Sequence, residues 1–72
     1  MTGFAKITDV SAGTALVADG GFTCLRDGEA VTARPDEDGL LYVLCDDGRH
    51  YLSGQIDGDV YTGLSILSQP NR

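Results

Sequence analysis

Basic residues are scarce in this sequence, and that scarcity excludes several kinds of partner. The chain has five lysine and arginine residues against eleven aspartate and glutamate residues, a net charge of -6 at pH 7. Phosphate backbones and anionic lipids repel such a chain, so we expect no direct nucleic-acid binding and no membrane binding. The basic residues also stand singly, without the interleaved aromatics that single-strand binders use.

Long apolar runs and a secretory signal are also missing. No run approaches the roughly 20 apolar residues that a membrane-spanning helix needs, and residues 1–10 lack the charged and then apolar regions of a signal. We therefore expect a cytoplasmic protein in a reducing compartment. There, Cys24 and Cys45 would be free thiols that pack as small apolar side chains, and a single disulfide is the alternative in an oxidising compartment.

The length and composition predict one small globular domain, residues 1–72. A chain of 72 residues buries only about 60% of its unfolded surface, so its stability should be modest. With 42% apolar residues it is too hydrophobic for a disordered tail.

Asp-Gly pairs divide the chain at regular intervals. The pair occurs five times, beginning at residues 19, 27, 38, 47 and 57, with spacings of 8, 11, 9 and 10 residues. Glycine takes positive φ without a clash and aspartate bonds to nearby backbone amides, so the pair favours hairpin turns. The spacing is that of one strand plus one turn.

The segments between these turns are rich in β-branched, aromatic and leucine residues and are predicted to be strands. They are residues 22–25, 29–34, 40–46, 49–55 and 60–67, with 4–10 and 14–18 as one or two more. No capped apolar stripe of helical period is present. We therefore predict an all-β fold, a small SH3-like barrel or a strongly bent antiparallel meander of five to six strands.

The stretch CDDGRH, residues 45–50, holds a cysteine and the only histidine. A two-residue turn at 47–48 would set Cys45 opposite His50, with β-carbons about 5 Å apart. A four-residue loop with a glycine bulge would instead place Cys45 against Arg49. The first arrangement is compatible with half of a zinc site or with a cysteine nucleophile beside a histidine base.

The sequence argues against both a zinc site and a cysteine nucleophile. Zinc needs a third and usually a fourth ligand, and only Cys24 and an aspartate such as Asp46 remain to supply them. No motif offers an orienting residue or an oxyanion hole. We therefore expect no catalytic residue, no metal ligand and no cofactor, and a protein that is not an enzyme.

Three tyrosines are the candidate binding residues. A bulge at Gly54 would flip the last strand, so that Tyr42, Tyr51 and Tyr61 share one sheet face, with Tyr51 across from Gly63. This face is either an exposed protein-binding surface or is covered by residues 4–18.

Turn carboxylates complete the candidate site. We expect Asp46, Asp47, Asp57 and Asp59 beside the tyrosines if the strand over 49–56 curls, and in two smaller patches if it stays straight. Rigid carboxylates of this kind could imitate phosphates and attract a basic protein.

The stretch DGLLYVLCDDGRHYL, residues 38–52, resembles the strand-turn-strand of small SH3-like barrel proteins. The chain is also similar in size, acidity and turn density to small phage or prophage-encoded proteins, a class that includes inhibitors of host defence and nucleic-acid mimics. The chain has no tryptophan, and the aromatic groove of eukaryotic SH3 domains is absent.

These features predict a small acidic protein-binding module, an inhibitor or nucleic-acid mimic that acts on a basic host protein as a monomer or weak homodimer. The alternative is a structural or assembly subunit that forms a homo-oligomer through its edge strands.

Overall fold

The computed structural model describes residues 4–70, which fold into short antiparallel strands. The strands are β1 (Ala15–Ala18), β2 (Ala30–Thr32), β3 (Arg34–Pro35), β4 (Leu41–Cys45), β5 (Gly48–Tyr51), β6 (Ile56–Asp57), β7 (Val60–Tyr61) and β8 (Leu64–Ser68). Two single turns of 3-10 helix, Ile7–Asp9 and Leu52–Gln55, complete the regular structure, and residues 4–70 contain no α-helix. The all-β class is confirmed.

The strands form three small sheets. Their orders are β2-β1-β8, β3-β4-β5 and β6-β7, and every pairing is antiparallel. Within residues 4–70 these sheets do not close into a barrel, so the SH3-like barrel is not confirmed. The β3-β4-β5 sheet is a local meander, whereas β1 pairs with β8 from the far end of the chain.

Three Asp-Gly pairs, beginning at residues 38, 47 and 57, lie at the tips of hairpins as predicted, whereas the pairs beginning at 19 and 27 both belong to the single loop between β1 and β2. All five glycines of these pairs have positive φ, between 67° and 121°. Glycine adopts positive φ at little cost because it has no β-carbon. The glycine of each pair therefore allows the chain to reverse or bend at that point.

Three predicted strands are wrong in whole or in part. Residues 4–10 contain one isolated β-bridge at Lys6 and the 3-10 turn Ile7–Asp9. Residues 22–25 form a turn in the loop between β1 and β2, where the Asp27 carboxylate accepts hydrogen bonds from the Gly20 and Gly21 amides at 3.3 Å. Residues 49–55 are a strand only as far as Tyr51. The 3-10 turn that follows buries Leu52 and contains Gly54, which therefore does not form the predicted bulge.

A core of ten buried apolar side chains lies between the sheets. Its members are Ala5, Val10, Leu16, Ala18, Phe22, Ala33, Val43, Leu52, Tyr61 and Leu64. The buried hydroxyl of Thr14 is satisfied locally, because its oxygen accepts the Ser11 amide at 3.0 Å. The β1–β2 loop, residues 19–29, contributes Phe22 to this core.

This β1–β2 loop packs backbone to backbone against the turn before β8. A β-carbon placed on Gly63 would lie 2.6 Å from the Phe22 nitrogen and 2.9 Å from its α-carbon. The Asp19 amide donates to the Gly63 carbonyl at 2.6 Å, and the Ser65 hydroxyl donates to the Asp19 carboxylate at 2.8 Å. Position 63 therefore has no room for a side chain.

Replacing Gly63 with alanine should destabilise the protein more than the same change at Gly39. The two residues have similar φ, 82° and 86°, but nothing lies within 4 Å of a β-carbon at Gly39. Gly39→Ala should cost about 1–2 kcal/mol for the left-handed backbone. Gly63→Ala should cost about 1–3 kcal/mol more, because the Phe22 backbone must move. Denaturant titration measures the free energy of unfolding of both variants. Equal decreases in the two would contradict the close packing at Gly63.

Candidate functional site

The turn of the β4–β5 hairpin differs from the predicted one. Cys45 pairs with Gly48 and Val43 pairs with His50, so the turn residues are Asp46 and Asp47. Both aspartates have negative φ and Gly48 has a φ of 121°, as in a type I turn followed by a glycine bulge. Neither register considered from the sequence is present: Cys45 stands opposite Gly48, not opposite His50 or Arg49, and only Gly48 takes the left-handed conformation.

The outer face of this hairpin carries four side chains: Tyr42 and Leu44 from β4, and Arg49 and Tyr51 from β5. Tyr42 and Tyr51 are direct cross-strand partners with ring centroids 5.7 Å apart and ring planes tilted by 55°. The Arg49 guanidinium lies 4.6 Å from the Tyr42 centroid, within range of a cation–π contact. Both tyrosines are half-buried, and Leu44 is 57% exposed.

Arg49 links the tyrosine pair to an acidic turn. Its guanidinium donates to the Tyr51 hydroxyl at 3.5 Å and lies 3.6 Å from the Glu37 carboxylate. The hydrogen bond to Tyr51, followed by the electrostatic effects of Tyr42, Tyr51 and Glu37, raises the pKa of Arg49 above its usual value. Arg49 is therefore a fixed positive charge beside this acidic turn, and exposed Arg34, the β3 partner of Tyr42, places a second positive charge on the same sheet face.

Asp36 holds that acidic turn in place. Desolvation acts to raise the pKa of Asp36, but hydrogen bonds from the Leu40 and Asp38 amides and from the Tyr51 hydroxyl, together with the charge of Arg49, outweigh it and lower the pKa. The two amide bonds are 2.9 and 2.8 Å long. The turn over residues 36–40 is thus ordered before any partner arrives.

Tyr61 does not lie on this face. It is 6% exposed and belongs to the core, so the prediction that it joins Tyr42 and Tyr51 is wrong. Tyr51 pairs with Tyr42 and not with Gly63. The cause is the 3-10 turn after Tyr51, which redirects the chain where the sequence predicts a continuous bulged strand.

The four candidate aspartates belong to two different hairpins. Asp46 and Asp47 form the tip of β4–β5, and Asp57 and Asp59 lie at the tip of β6–β7. Asp59 lines a depression with Lys6 and Ile7, whereas Asp46 lines one with basic and acidic residues of the β1–β2 loop. Only Asp46 and Asp47 therefore share a hairpin with the Tyr42–Tyr51 pair, since the β6–β7 hairpin contains the buried Tyr61.

The inner face of β4–β5 carries a disulfide between Cys24 and Cys45. Their α-carbons are 6.2 Å apart, within the normal range for a disulfide. The prediction of two free thiols is wrong, because the β1–β2 loop folds over β4 and brings Cys24 to Cys45. Sequence spacing could not reveal this contact, since it depends on the buried anchor Phe22.

His50 lies beside this disulfide. A ring nitrogen of His50 and the sulfur atoms of Cys24 and Cys45 lie within 4.8 Å of one another. The Asp47 carboxylate is hydrogen-bonded to His50 Nε2 at 2.8 Å, which lowers the pKa of Asp47. The His50 side chain is 28% exposed, so solvent reaches this cluster.

Comparison with protein-family models, curated proteins and solved structures found no match to this chain. Within residues 4–70, none of the helical segments has the length and apolar character that a membrane crossing requires.

Burial of Tyr61 should make stability depend on pH in the alkaline range. Desolvation raises the pKa of Tyr61 above its usual 10.0. The unfolded chain then loses this proton first, so the stability that Tyr61 contributes is complete below about pH 10 and is lost as pH rises through the folded pKa. Between about pH 9 and pH 11, the free energy of unfolding should fall less for the Tyr61→Phe variant than for the wild-type protein. Identical losses in denaturant titrations of the two proteins would contradict this placement.

Proposed function

We propose that this protein is a small acidic, non-enzymatic module that binds a basic protein through the outer face of the β4–β5 hairpin. The observation that carries the proposal is the Tyr42–Tyr51 pair, which lies half-exposed beside the exposed Leu44. Tyrosine offers a large contact area and a hydroxyl that tolerates water, and it is enriched in protein interfaces. An ordered aromatic pair on a sheet face suits this role.

Acidic turns flank the pair at both ends of β4. The turn over residues 36–40 precedes the strand, and Asp46 and Asp47 follow it. A five-residue strand spans about 17 Å, so carboxylates bracket an aromatic surface of roughly that length. This charge arrangement would steer a basic partner toward the tyrosines and speed its encounter.

The carboxylates at both ends of β4 support one chemical class of partner. We propose a basic protein whose own ligand is a nucleic acid, which the carboxylates would imitate as a phage-type inhibitor does. The hydrogen bonds to Asp36 order the turn in advance, which reduces the conformational entropy lost on binding. The SH3-like character of residues 38–52, the phage origin and the cytoplasmic location remain predictions, and binding by this surface requires none of them.

Partner capture tests this surface. The immobilised chain is incubated with a lysate of the source organism, and captured proteins are quantified by mass spectrometry in about 0.1 M and about 1 M salt. Tyr42→Ser/Tyr51→Ser should reduce affinity for the principal basic partner by about tenfold or more at both salt concentrations. Asp38→Asn/Asp46→Asn should reduce it a few-fold at low salt only, because exposed charge pairs are each worth about 0–1 kcal/mol.

The β6–β7 hairpin supplies the matched control. Asp57→Asn/Asp59→Asn removes the same number of charges as the test variant, but from a hairpin without exposed tyrosines. It should retain near-wild-type capture. Equal loss from both charge variants would indicate a non-specific effect of net charge, and unchanged capture by the folded tyrosine variant would rule out the surface.

One observation favours the alternative of a homo-oligomer. β8 is an edge strand of its sheet and carries Leu67, which is 60% exposed. Exposed apolar edge strands are templates for pairing with another chain. If this edge forms the interface, sedimentation should show a concentration-dependent dimer that Leu67→Lys abolishes. A monomer at all concentrations, with normal capture by Leu67→Lys, would exclude it.

A further inference from the structure

The inner face of the β4–β5 hairpin gathers both cysteines and the only histidine of the chain. The two sulfur atoms and a ring nitrogen of His50 lie within 4.8 Å of one another. Thiolate and imidazole are the ligands that zinc prefers in proteins, and four-coordinate zinc often takes three protein ligands and a water. The sequence offers Cys24 as a possible third ligand, and the fold brings it beside Cys45 and His50.

We propose that Cys24, Cys45 and His50 bind one thiophilic divalent cation, zinc by preference, when the Cys24–Cys45 disulfide is reduced. The three side chains supply two sulfur ligands and one nitrogen ligand, and water takes the fourth position. Both cysteines are partly buried against the core, and His50 is 28% exposed. An ion can therefore enter from the histidine side.

Asp47 orients the histidine ligand. Its carboxylate is hydrogen-bonded to Nε2 of His50 at 2.8 Å, which leaves Nδ1 as the nitrogen available to a metal. Metal-binding histidines commonly make such a bond to a carboxylate, which fixes the ring orientation and raises ligand basicity. The acidic tip of the hairpin thus has a function that does not involve a protein partner.

The backbones of Cys24 and Cys45 need not move far between the disulfide-bonded form and the metal-bound form. Disulfide sulfurs are about 2 Å apart. Two sulfurs on a tetrahedral zinc, each about 2.3 Å from the ion, are about 3.8 Å apart. With α-carbons 6.2 Å apart, rotation of the two side chains can supply this separation.

Conversion of the disulfide-bonded form to the metal-bound form takes two steps, reduction of the disulfide and then metal binding with release of protons. A dithiol reductant transfers two electrons and two protons to the disulfide, which yields two thiols and the oxidised reductant. Binding of the divalent cation then displaces one proton from each thiol. In both end states the β1–β2 loop is tied to β4, once by a covalent bond and once by the metal.

Metal titration of the wild-type chain tests the proposal. The protein is reduced with a phosphine, which becomes the phosphine oxide, and cobalt(II) is added as the probe. We expect one cobalt per chain, with sulfur-to-cobalt charge-transfer absorption and the visible bands of tetrahedral cobalt, and displacement by zinc. Zinc at 100 times its Kd should raise the Tm of the reduced chain by about 10–20 °C. The oxidised chain should show neither effect.

Single substitutions separate a three-ligand site from incidental thiol binding. His50→Gln should weaken cobalt binding by about tenfold or more, and Asp47→Asn by about 10–100-fold, with altered cobalt bands in the first case. The neighbouring Asp46→Asn removes the same charge without touching His50 and should bind as wild type does.

Three results would overturn the proposal. The first is the absence of thiolate–cobalt absorption in the reduced wild-type chain, and the second is a stoichiometry of half a cobalt per chain. The third is an affinity for cobalt in His50→Gln equal to that of the wild type. The first two require no variant, so they hold even if a substitution prevents folding. The three ligands lie on the face opposite the tyrosine pair, and the cobalt titration uses no partner protein, so either proposal can fail while the other holds. Asp47 alone takes part in both.

Discussion

The attachment of the β1–β2 loop to the rest of the protein is the constraint on which this fold depends. Phe22 enters the core, its backbone lies directly against Gly63, and Cys24 is covalently bonded to β4. The first two contacts fix the loop to the sheet that contains β8, and the third fixes it to the sheet that contains β4. A chain with so small a core gains from one loop that joins both sheets.

The β4–β5 hairpin illustrates how two chemistries can share one hairpin. Side chains alternate across a strand, so Tyr42 and Leu44 face solvent while Val43 and Cys45 face the core and the β1–β2 loop. The outer face combines aromatic rings with a fixed guanidinium and ordered carboxylates. The inner face combines sulfur with imidazole. A register shift of one residue would exchange the two sets, so the turn specifies both sites.

Local features of this structure were predictable from the sequence, and long-range features were not. The Asp-Gly turns and the strand over 41–45 follow from glycine φ and from apolar content, which depend only on neighbouring residues. The contact between Cys24 and Cys45 depends on Phe22 entering a core built from the other end of the chain.

Tyr61 shows the same limit at the candidate site. Its placement depends on a 3-10 turn after Tyr51 in place of a bulge at Gly54, and both local conformations are compatible with that glycine. Nothing in the residues adjacent to Tyr61 distinguishes a buried ring from an exposed one. The sequence therefore predicted correctly that Tyr42 and Tyr51 share a sheet face, but it could not predict that Tyr61 is buried.

Because Gly48 alone takes the left-handed conformation at the hairpin tip, Asp46 has an ordinary backbone geometry that any amino acid can adopt. Its side chain is exposed and makes no contact that the strands on either side need for their pairing. The backbone therefore requires glycine at position 48 and sets no such requirement at position 46. A fluorophore attached at position 46 would leave the strand register intact and would lie at the end of the hairpin that the proposed partner approaches.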